Sequence, residues 1–397
     1  MSVDGKTARF GAGLVVFVCF LVAAIEGYDI QAFGVASPKL VRELGLGPAQ
    51  QGWGAAAAMI GLMIGAIVGG RLADRIGRKP VLLVSVAAFG LFSLATAVSP
   101  SYEILLWARL ATGLGFGGAL PNLLAIATEV TPVHRQTAVT TAMCCGMPVG
   151  GTIAALAAQL GGAALDWRTI FVAGGIVPLL LLPVIFLLIP ETRPAARPEA
   201  DRRVLQALFG EGRGPRTVLI SLALLPTTGI LNLALNWLPT LVTDRGHPAS
   251  LGASAALAFN LSAIVGSVFL GVFSNGGGWR RLLPLALLTL AATLGGLAFT
   301  DAPSAIMVLS GAAGFLVVGS QFVMYALSPQ LYPEHVRATG AGGVVSVGRI
   351  GSIIGPVLAG QLRAAGATPG AVFLALIPAA VMAAIALIGL GRAARDA

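Results

Sequence analysis

The sequence predicts an all-α membrane protein in which twelve transmembrane helices form two six-helix bundles. Three observations support this fold class: the composition, the number of apolar stretches and an internal repeat. Of the 397 residues, 56% are hydrophobic and only 10% are charged. A soluble domain carries about 25% charged residues, so this chain cannot cover a water-facing surface and is expected to lie in a bilayer.

Twelve apolar stretches are long enough to cross the hydrocarbon core, which takes about 20 residues of helix. An even number of spans places both termini on the same side of the membrane. The predicted spans are 14–38, 49–71, 80–98, 103–127, 137–161, 170–189, 217–243, 250–274, 281–300, 303–327, 338–364 and 369–391.

The basic residues predict which side that is. Of the 25 Lys and Arg residues, eighteen fall in loops on the side of the termini and five in the opposite loops. Loops rich in Lys and Arg stay in the cytoplasm, so both termini are expected there and the protein is expected in the cell inner membrane. The formal net charge of +9 therefore reflects topology rather than a nucleic-acid partner.

The two halves resemble each other at a nearly constant displacement of 201 to 202 residues. Such parallel repeats are one of the known transporter plans, with the substrate site at the repeat interface. Matched residues include Pro38 with Pro239, Gly45 with Gly246, Gly70 with Gly271, Gly77 with Gly278, Pro132 with Pro333 and Gly146 with Gly348.

The repeat predicts three segments. An N-terminal six-helix bundle covers 1–189 and a C-terminal bundle covers 217–397. The polar segment 190–216 between them is expected to be a cytoplasmic linker, with a short interfacial helix around Val204–Phe209.

Two acids in the first predicted span, Glu26 and Asp29, are the first candidates for function. At helical spacing they lie on one face. A carboxylate deep in the bilayer costs at least about 2.5 kcal/mol and rarely lies there without a task. One interpretation is half of a structural ion pair, and the other is a proton-coupling site that faces a water-filled cavity.

Two arginines are the matching candidates. Arg109 in the fourth span is at a depth that lets it meet Asp29 if spans one and four adjoin, either as a structural pair or as a substrate ligand. Arg349 lies near the middle of span eleven, and no Asp or Glu lies well inside the C-terminal spans. A buried guanidinium needs a carboxylate, which favours an anionic substrate bound by Arg349, with or without Arg109.

The segment Gly70–Lys79 reads Gly-Arg-Leu-Ala-Asp-Arg-Ile-Gly-Arg-Lys and connects spans two and three. It resembles the cytoplasmic signature of the major facilitator superfamily, which implies the major facilitator fold and a latch between the halves. The alternative is a basic turn that only fixes topology. Residues expected to take part in conformational gating are Gly70, Asp74, Arg75, Gly77, Arg78, Glu129, Arg135 and Arg337.

Further motifs resemble the aromatic acid:H⁺ symporter family over nearly the whole chain. They are Glu26-Gly27-Tyr28-Asp29, Asn236-Trp237-Leu238-Pro239, Gly348-Arg349-Ile350-Gly351, Tyr332-Pro333 and Arg337-Ala338-Thr339-Gly340. One departure is Glu26, where the family usually has Asp. A second is Asn275, which stands in the second-half copy of the loop where the acid would be.

The resemblance implies a proton-coupled symporter that imports a small aromatic carboxylate by alternating access. Glu26 and Asp29 would carry protons and Arg349 and Arg109 would bind the carboxylate. The ring of the substrate is expected to contact five aromatic residues: Phe33, Phe116, Trp237, Phe259 and Tyr325. For each of them, ordinary packing between membrane helices is the alternative role.

Other function classes fit the sequence less well. A carrier or exporter of other small organic acids is an alternative, and a membrane sensor for aromatic acids would need an appended signalling domain. The sequence contains no nucleophile–base constellation, metal spacing or phosphate loop, so no enzyme activity, metal or cofactor is expected. The expected partners are the small organic anion, protons and the lipid bilayer, with the protein itself a monomer.

Overall fold

The computed structural model describes residues 11–132, 139, 142–143, 145–162, 164–191, 204–274, 277–333 and 336–393. Within these ranges the chain is helical and contains no strand. The helices of the first half are α1 Ala12–Leu44, α2 Pro48–Ile76, α3 Arg78–Ala97, α4 Tyr102–Glu129, α5 Gly146–Gly161 and α6 Trp167–Leu188.

The helices of the second half are α7 Val204–Phe209, α8 Gly214–Thr243, α9 Ala249–Phe273, α10 Trp279–Phe299, α11 Pro303–Leu327, α12 Arg337–Ala364 and α13 Pro369–Ala393. A 3₁₀ turn, Ser328–Leu331, follows α11. The short helix expected around Val204–Phe209 is confirmed.

Eleven helices in the described part of the chain are long and apolar enough to cross a membrane. They coincide with eleven of the twelve predicted spans. The remaining span, predicted at 137–161, is described as the sixteen-residue helix α5, since several residues before Gly146 lie outside the described ranges. The all-α, multi-span fold class is thereby confirmed.

Two helices run further than their apolar stretches. The first span was predicted to end at Pro38, but α1 continues to Leu44 with Pro38 inside it. Hydropathy marks the membrane boundary, whereas a helix continues into water while its backbone bonds hold. Likewise α2 extends to Ile76, so most of the motif predicted as a loop is helical and Gly77 alone joins α2 to α3.

Gly77 makes that sharp connection because of its backbone conformation. Its φ is +100°, a region that L side chains rarely adopt. A Cβ there would also overlap the carboxylate of Glu191, which follows α6. The sharp turn between α2 and α3 is therefore made by Gly77, whereas Gly70 lies inside α2 with open space around it.

Contacts divide the chain into two compact units. The first contains Met1–Leu46 and Trp53–Arg197, and the second contains Gly47–Gly52 and Pro198–Ala397. In the first unit α1 packs on α5, and α3 packs on α4 and α6; in the second α8 packs on α12, α9 on α11 and α10 on α13. Residues 192–203 of the predicted linker 190–216 lie outside the described residues.

Glycines set the closest helix approaches, and they do so at equivalent positions in the two units. Gly113 of α4 lies so near α2 that a Cβ would overlap the carbonyl oxygen of Ala58. A Cβ on Gly314 of α11 would likewise overlap the carbonyl oxygen of Phe259 on α9. Both residues of this contact are displaced by 201 positions between the units.

The contact of the first and fifth spans repeats in the same way. A Cβ on Gly150 of α5 would overlap the carbonyl oxygen of Ala24 on α1. A Cβ on Gly351 of α12 would overlap that of Leu225 on α8, again 201 positions on. We call these four glycines, Gly113, Gly150, Gly314 and Gly351, the glycine frame. It shows that the sequence repeat is also a repeat of backbone packing.

Candidate functional site

A buried ion pair joins α1 and α4 in the interior of the first unit. Arg109 Nη1 donates to Asp29 Oδ2 over 2.7 Å. Both residues are 1% exposed. The pairing that the sequence allowed is therefore present, and its charges are withdrawn from solvent.

The rest of the pair's surroundings comes from α3, α6 and α1 itself. The Ser93 hydroxyl lies 3.4 Å from Asp29 Oδ1 and 3.1 Å from the Phe171 carbonyl oxygen. The Arg109 guanidinium carbon lies 5.2 Å from the ring centre of Phe33 and 5.7 Å from that of Phe171. Cation–π attraction thus supplements the single carboxylate in holding the guanidinium.

Stability alone gives a weak reason for this arrangement. Taking two charges out of water costs several kcal/mol per ion, and apolar replacements of a buried pair are often neutral or stabilising. Arg109 Nε is also buried without a hydrogen-bond partner among the described residues. An ionisable pair inside membrane spans is by default a candidate for a functional site.

Glu26 lies one turn before Asp29 on α1 and is also 1% exposed. The helix is held close to α5 here, because a Cβ on Gly27 would overlap the Met147 backbone. Two acids one turn apart are thus enclosed in the same unit. Their predicted proton-coupling role stays a prediction.

Arg349 lies on α12 of the second unit and is half-buried. Within the described residues it forms no ion pair. The described carboxylates of the second unit stand at helix ends or in loops; they are Glu211, Asp244 and Asp301. The second unit therefore presents a guanidinium without a described carboxylate, whereas the first unit pairs its own.

Of the five predicted ring contacts, two lie in the first unit. Phe33 packs beneath the Arg109 guanidinium. Phe116 stacks on Phe89 with ring centres 4.5 Å apart, inside the hydrophobic core between α3 and α4. Packing accounts for the burial of Phe116, and contact with a substrate ring stays a prediction for both.

The other three ring residues lie in the second unit. Trp237 is 1% exposed and its Nε1 donates to the Pro356 carbonyl oxygen over 3.1 Å, joining α8 to α12. Phe259 is buried at the glycine-frame contact with α11. Tyr325 is half-buried, and its hydroxyl accepts a hydrogen bond from Gln321.

The charged residues predicted to take part in gating fall into three groups. Arg78 and Glu129 form an ion pair between the start of α3 and the end of α4, with side chains 14% and 39% exposed. Asp74, Arg75 and Arg337 are exposed at helix ends. Arg135 lies outside the described residues.

The motifs Tyr332-Pro333 and Arg337-Ala338-Thr339-Gly340 have a packing explanation. Tyr332 is buried, and a Cβ on Gly340 would overlap its ring. The Tyr332 and Thr217 hydroxyls are 2.8 Å apart. Burial raises the pKa of Tyr332 above its ordinary value, so this phenol stays protonated.

Sequence reasoning missed several polar contacts at the ends of α1 and α8. Lys39 Nζ donates to the carbonyl oxygens of Gly162 and Leu165, over 2.8 and 2.5 Å, after α5 ends. In the second unit Arg363 on α12 donates to Asp244 at the end of α8 over 2.5 Å. The first and fifth spans of each unit are thus tied at one end, and Arg363 lies 201 positions after Gly162, one of the two residues that Lys39 contacts.

The comparisons with known proteins agree with this architecture. A family model described as Major Facilitator Superfamily matches residues 19–356. The chain therefore belongs to the major facilitator superfamily and is a multi-pass membrane transporter rather than an enzyme.

Its sequence relatives include named transporters of aromatic acids. The chain is 41% identical to a 3-(3-hydroxy-phenyl)propionate transporter of Escherichia coli (strain K12), covering 94% of this chain and 93% of the relative. It is 31% identical to a gallate transporter of Pseudomonas putida, covering 98% and 94%. The predicted resemblance to the aromatic acid symporters is thereby confirmed.

Solved structures show the same fold at low identity. A D-xylose-proton symporter aligns with a TM-score of 0.78 at 17% identity, covering 94% of this chain and 96% of that one. A bacterial homolog of the human lysosomal transporter Spinster aligns with a TM-score of 0.75 at 16% identity, covering 100% and 98%.

Proposed function

We propose that this chain is a proton-coupled symporter that imports a small aromatic carboxylate by alternating access. The observation that carries the proposal is the unequal charge of the two units. The first contains buried acids with the Asp29–Arg109 pair, and the second contains Arg349 without a described carboxylate partner. The relatives named as transporters of aromatic acids support the same substrate class.

The carboxylate of the substrate has its best ligand in Arg349. A guanidinium binds a carboxylate through two parallel hydrogen bonds and keeps its charge at all relevant pH values. Because no described acid neutralises Arg349, an anionic cargo gains this interaction without displacing an internal partner. Arg109 already has such a partner, so it becomes a ligand only when Asp29 releases it.

Proton coupling follows from the Asp29–Arg109 pair. When Asp29 takes up a proton, the carboxyl group loses its charge and the hold on the guanidinium weakens. Glu26 is a second proton acceptor one turn away. Coupling requires that the outward-open and inward-open states differ in affinity for both proton and cargo.

The surrounding assignments complete the proposal. The protein lies in the cell inner membrane as a monomer, and its basic loops support the placement of both termini in the cytoplasm. The bundles comprise 1–189 and 217–397, joined by the linker 190–216. The Arg78–Glu129 pair, with Gly70, Asp74, Arg75, Gly77, Arg135 and Arg337, takes part in gating.

The test is uptake by purified protein in proteoliposomes with an imposed pH gradient. Labelled 3-(3-hydroxyphenyl)propionate and benzoate are expected to accumulate inside the proteoliposomes when the outside is acidic. When the pH gradient is collapsed, they are expected to reach equal concentrations on both sides without accumulating. Unlabelled aliphatic acids such as butyrate should compete poorly, whereas efficient competition would favour a general carrier of organic acids.

Asp29→Asn is the decisive variant, because it removes the carboxyl group that can carry a proton and keeps the shape of the side chain. It is expected to abolish accumulation against the gradient. The matched control is Asp301→Asn, whose carboxylate lies outside the spans and is 80% exposed. If Asp29→Asn still concentrates the acid as the control does, Asp29 has no part in coupling.

A further inference from the structure

The amide of Gln321 on α11 is buried and only half satisfied. The residue is 5% exposed. Its Nε2 donates to the Tyr325 hydroxyl over 2.8 Å, one turn further along the helix. Its Oε1 is fully buried and has no hydrogen-bond partner in the described part of the chain.

This oxygen differs from the other unpaired oxygens of α11. The hydroxyls of Ser310 and Ser320 are also without a partner, but a helical Ser hydroxyl can turn to donate to the carbonyl one turn earlier. An amide oxygen is only an acceptor, so no helix carbonyl can satisfy it. Gln321 Oε1 needs a donor from elsewhere, because a buried acceptor that is left unpaired destabilises the folded protein.

The position of Gln321 on its helix relates it to the charged site of the other unit. Gln321 follows Ser310 by eleven residues, so the two lie within about 20° of each other around the axis at 3.6 residues per turn. Ser310 is the counterpart of Arg109 at the 201-residue displacement. Gln321 therefore lies on the same face of α11 as Ser310, about three turns further along the helix, and the equivalent face of α4 in the first unit carries Arg109.

We infer that Gln321 Oε1 accepts a hydrogen bond from a ring hydroxyl of the transported acid, which makes phenolic acids the preferred substrates. The inference rests on the proposed function and adds the group that selects among aromatic acids. A neutral amide oxygen repels a carboxylate and is indifferent to a bare ring, whereas a phenol supplies the missing O–H. A hydroxyl both donates and accepts, so it satisfies the amide in either orientation.

The expected size of the effect is that of one hydrogen bond. The wild-type protein should bind 3-hydroxybenzoate about 2- to 12-fold more tightly than benzoate. It should bind 3-methoxybenzoate no better than benzoate, because the ether oxygen cannot donate. The measurement is inhibition of labelled uptake, or calorimetric titration of the purified protein.

The variant test is Gln321→Met, which keeps the length of the side chain and removes the amide. It is expected to lower the preference for 3-hydroxybenzoate over benzoate to within twofold. Gln321→Asn, which retracts the amide by one methylene group, should also lower the preference. The matched control is Gln330→Met, since Gln330 is exposed and donates to the Ala326 carbonyl of its own segment.

The outcomes separate the inference from the function on which it rests. A protein that binds the three acids equally overturns the inference alone, as does a Gln321→Met variant that keeps the wild-type preference. If Gln321→Met does not fold, the affinities of the wild type and of Gln321→Asn for 3-hydroxybenzoate and 3-methoxybenzoate still test the inference. Wild-type protein that binds none of the acids overturns the proposed function and the inference together.

Discussion

The two units share their backbone contacts and differ in their charges. Gly113 and Gly314 make equivalent approaches to a neighbouring helix. Arg109, four residues before Gly113, is a buried cation, whereas its counterpart before Gly314 is Ser310, which is equally buried. The partner Asp29 corresponds to Ile230, which is 2% exposed.

The difference teaches that packing and chemistry are specified by separate sets of residues. In membranes, small residues let helix backbones approach closely and determine the contact. Once that frame exists, an interior position can carry a charge or an apolar side chain. The following experiments test this separation, beginning with the largest expected effect.

The frame itself should tolerate no side chain in either unit. Gly113→Val and Gly314→Val each place a branched side chain against a backbone carbonyl, which cannot move without separating two helices. Both are expected to yield little folded protein, measured as the monodisperse fraction in detergent by size-exclusion chromatography.

The matched control for the frame is Gly271→Ala, where a Cβ meets nothing within 4 Å. It should fold as the wild type does. Loss of folded protein from only one of the two Val variants would break the equivalence of the units.

The charged pair should be replaceable as a pair but not singly. Arg109→Met leaves Asp29 buried without its cation and is expected to destabilise the protein by about 3–5 kcal/mol. Adding Asp29→Ile, the residue of the second unit, removes the stranded charge and should restore most of that loss. Thermal unfolding in detergent measures the stability, and uptake should be absent in both.

A double variant that is no more stable than Arg109→Met would mean that the pair also shapes the fold. A double variant that still accumulates substrate against a gradient would mean that coupling lies elsewhere.

Replacing Arg349 should affect binding more than stability, because we propose that Arg349 binds the substrate carboxylate rather than a neighbouring side chain. Arg349→Gln is expected to change the unfolding free energy by less than about 1 kcal/mol. Loss of a charge-assisted hydrogen bond, worth about 1.5–3 kcal/mol, should weaken binding of the acid by about 10- to 150-fold. Titration of purified protein gives the affinity, with the exposed Arg392→Gln as control. Unchanged affinity would remove Arg349 from the carboxylate site.

The smallest effect is expected at the ends of α3 and α4. Arg78 and Glu129 form an ion pair in the first unit, while Trp279 and Gln330 stand at the equivalent positions of the second. Because Glu129 is 39% exposed, Glu129→Gln should lower stability by no more than about 1 kcal/mol, and less in high salt. A larger loss, seen by thermal unfolding at two salt concentrations, would assign the pair a structural role.

Much of the fold could be predicted because the bilayer leaves few options. A lipid-facing backbone must satisfy itself within a helix, so apolar runs such as 303–327 translate directly into helices such as Pro303–Leu327. Helix ends were less predictable. Neither the continuation of α1 past Pro38 nor the helical form of Gly70–Ile76 follows from hydropathy.

The candidate site could be predicted in its charges but not in its surroundings. A carboxylate and a guanidinium in apolar runs stand out, and Asp29 does pair with Arg109. Ser93 and Phe171 enclose that pair, yet a serine and a phenylalanine are common in any membrane helix. Only the rotation of α3 and α6 in the bundle brings them there, and rotation is decided by packing against neighbours.

The indole of Trp237 is a natural fluorophore at the contact of α8 and α12. Its N–H donates to the carbonyl of Pro356, seven residues beyond Arg349 on the same helix. A shift of α12 along α8 lengthens that bond and changes the polarity around the ring, to which the wavelength of indole emission responds. Of the five tryptophans in the chain, Trp237 is thus placed to report optically on movements of the helix that carries Arg349.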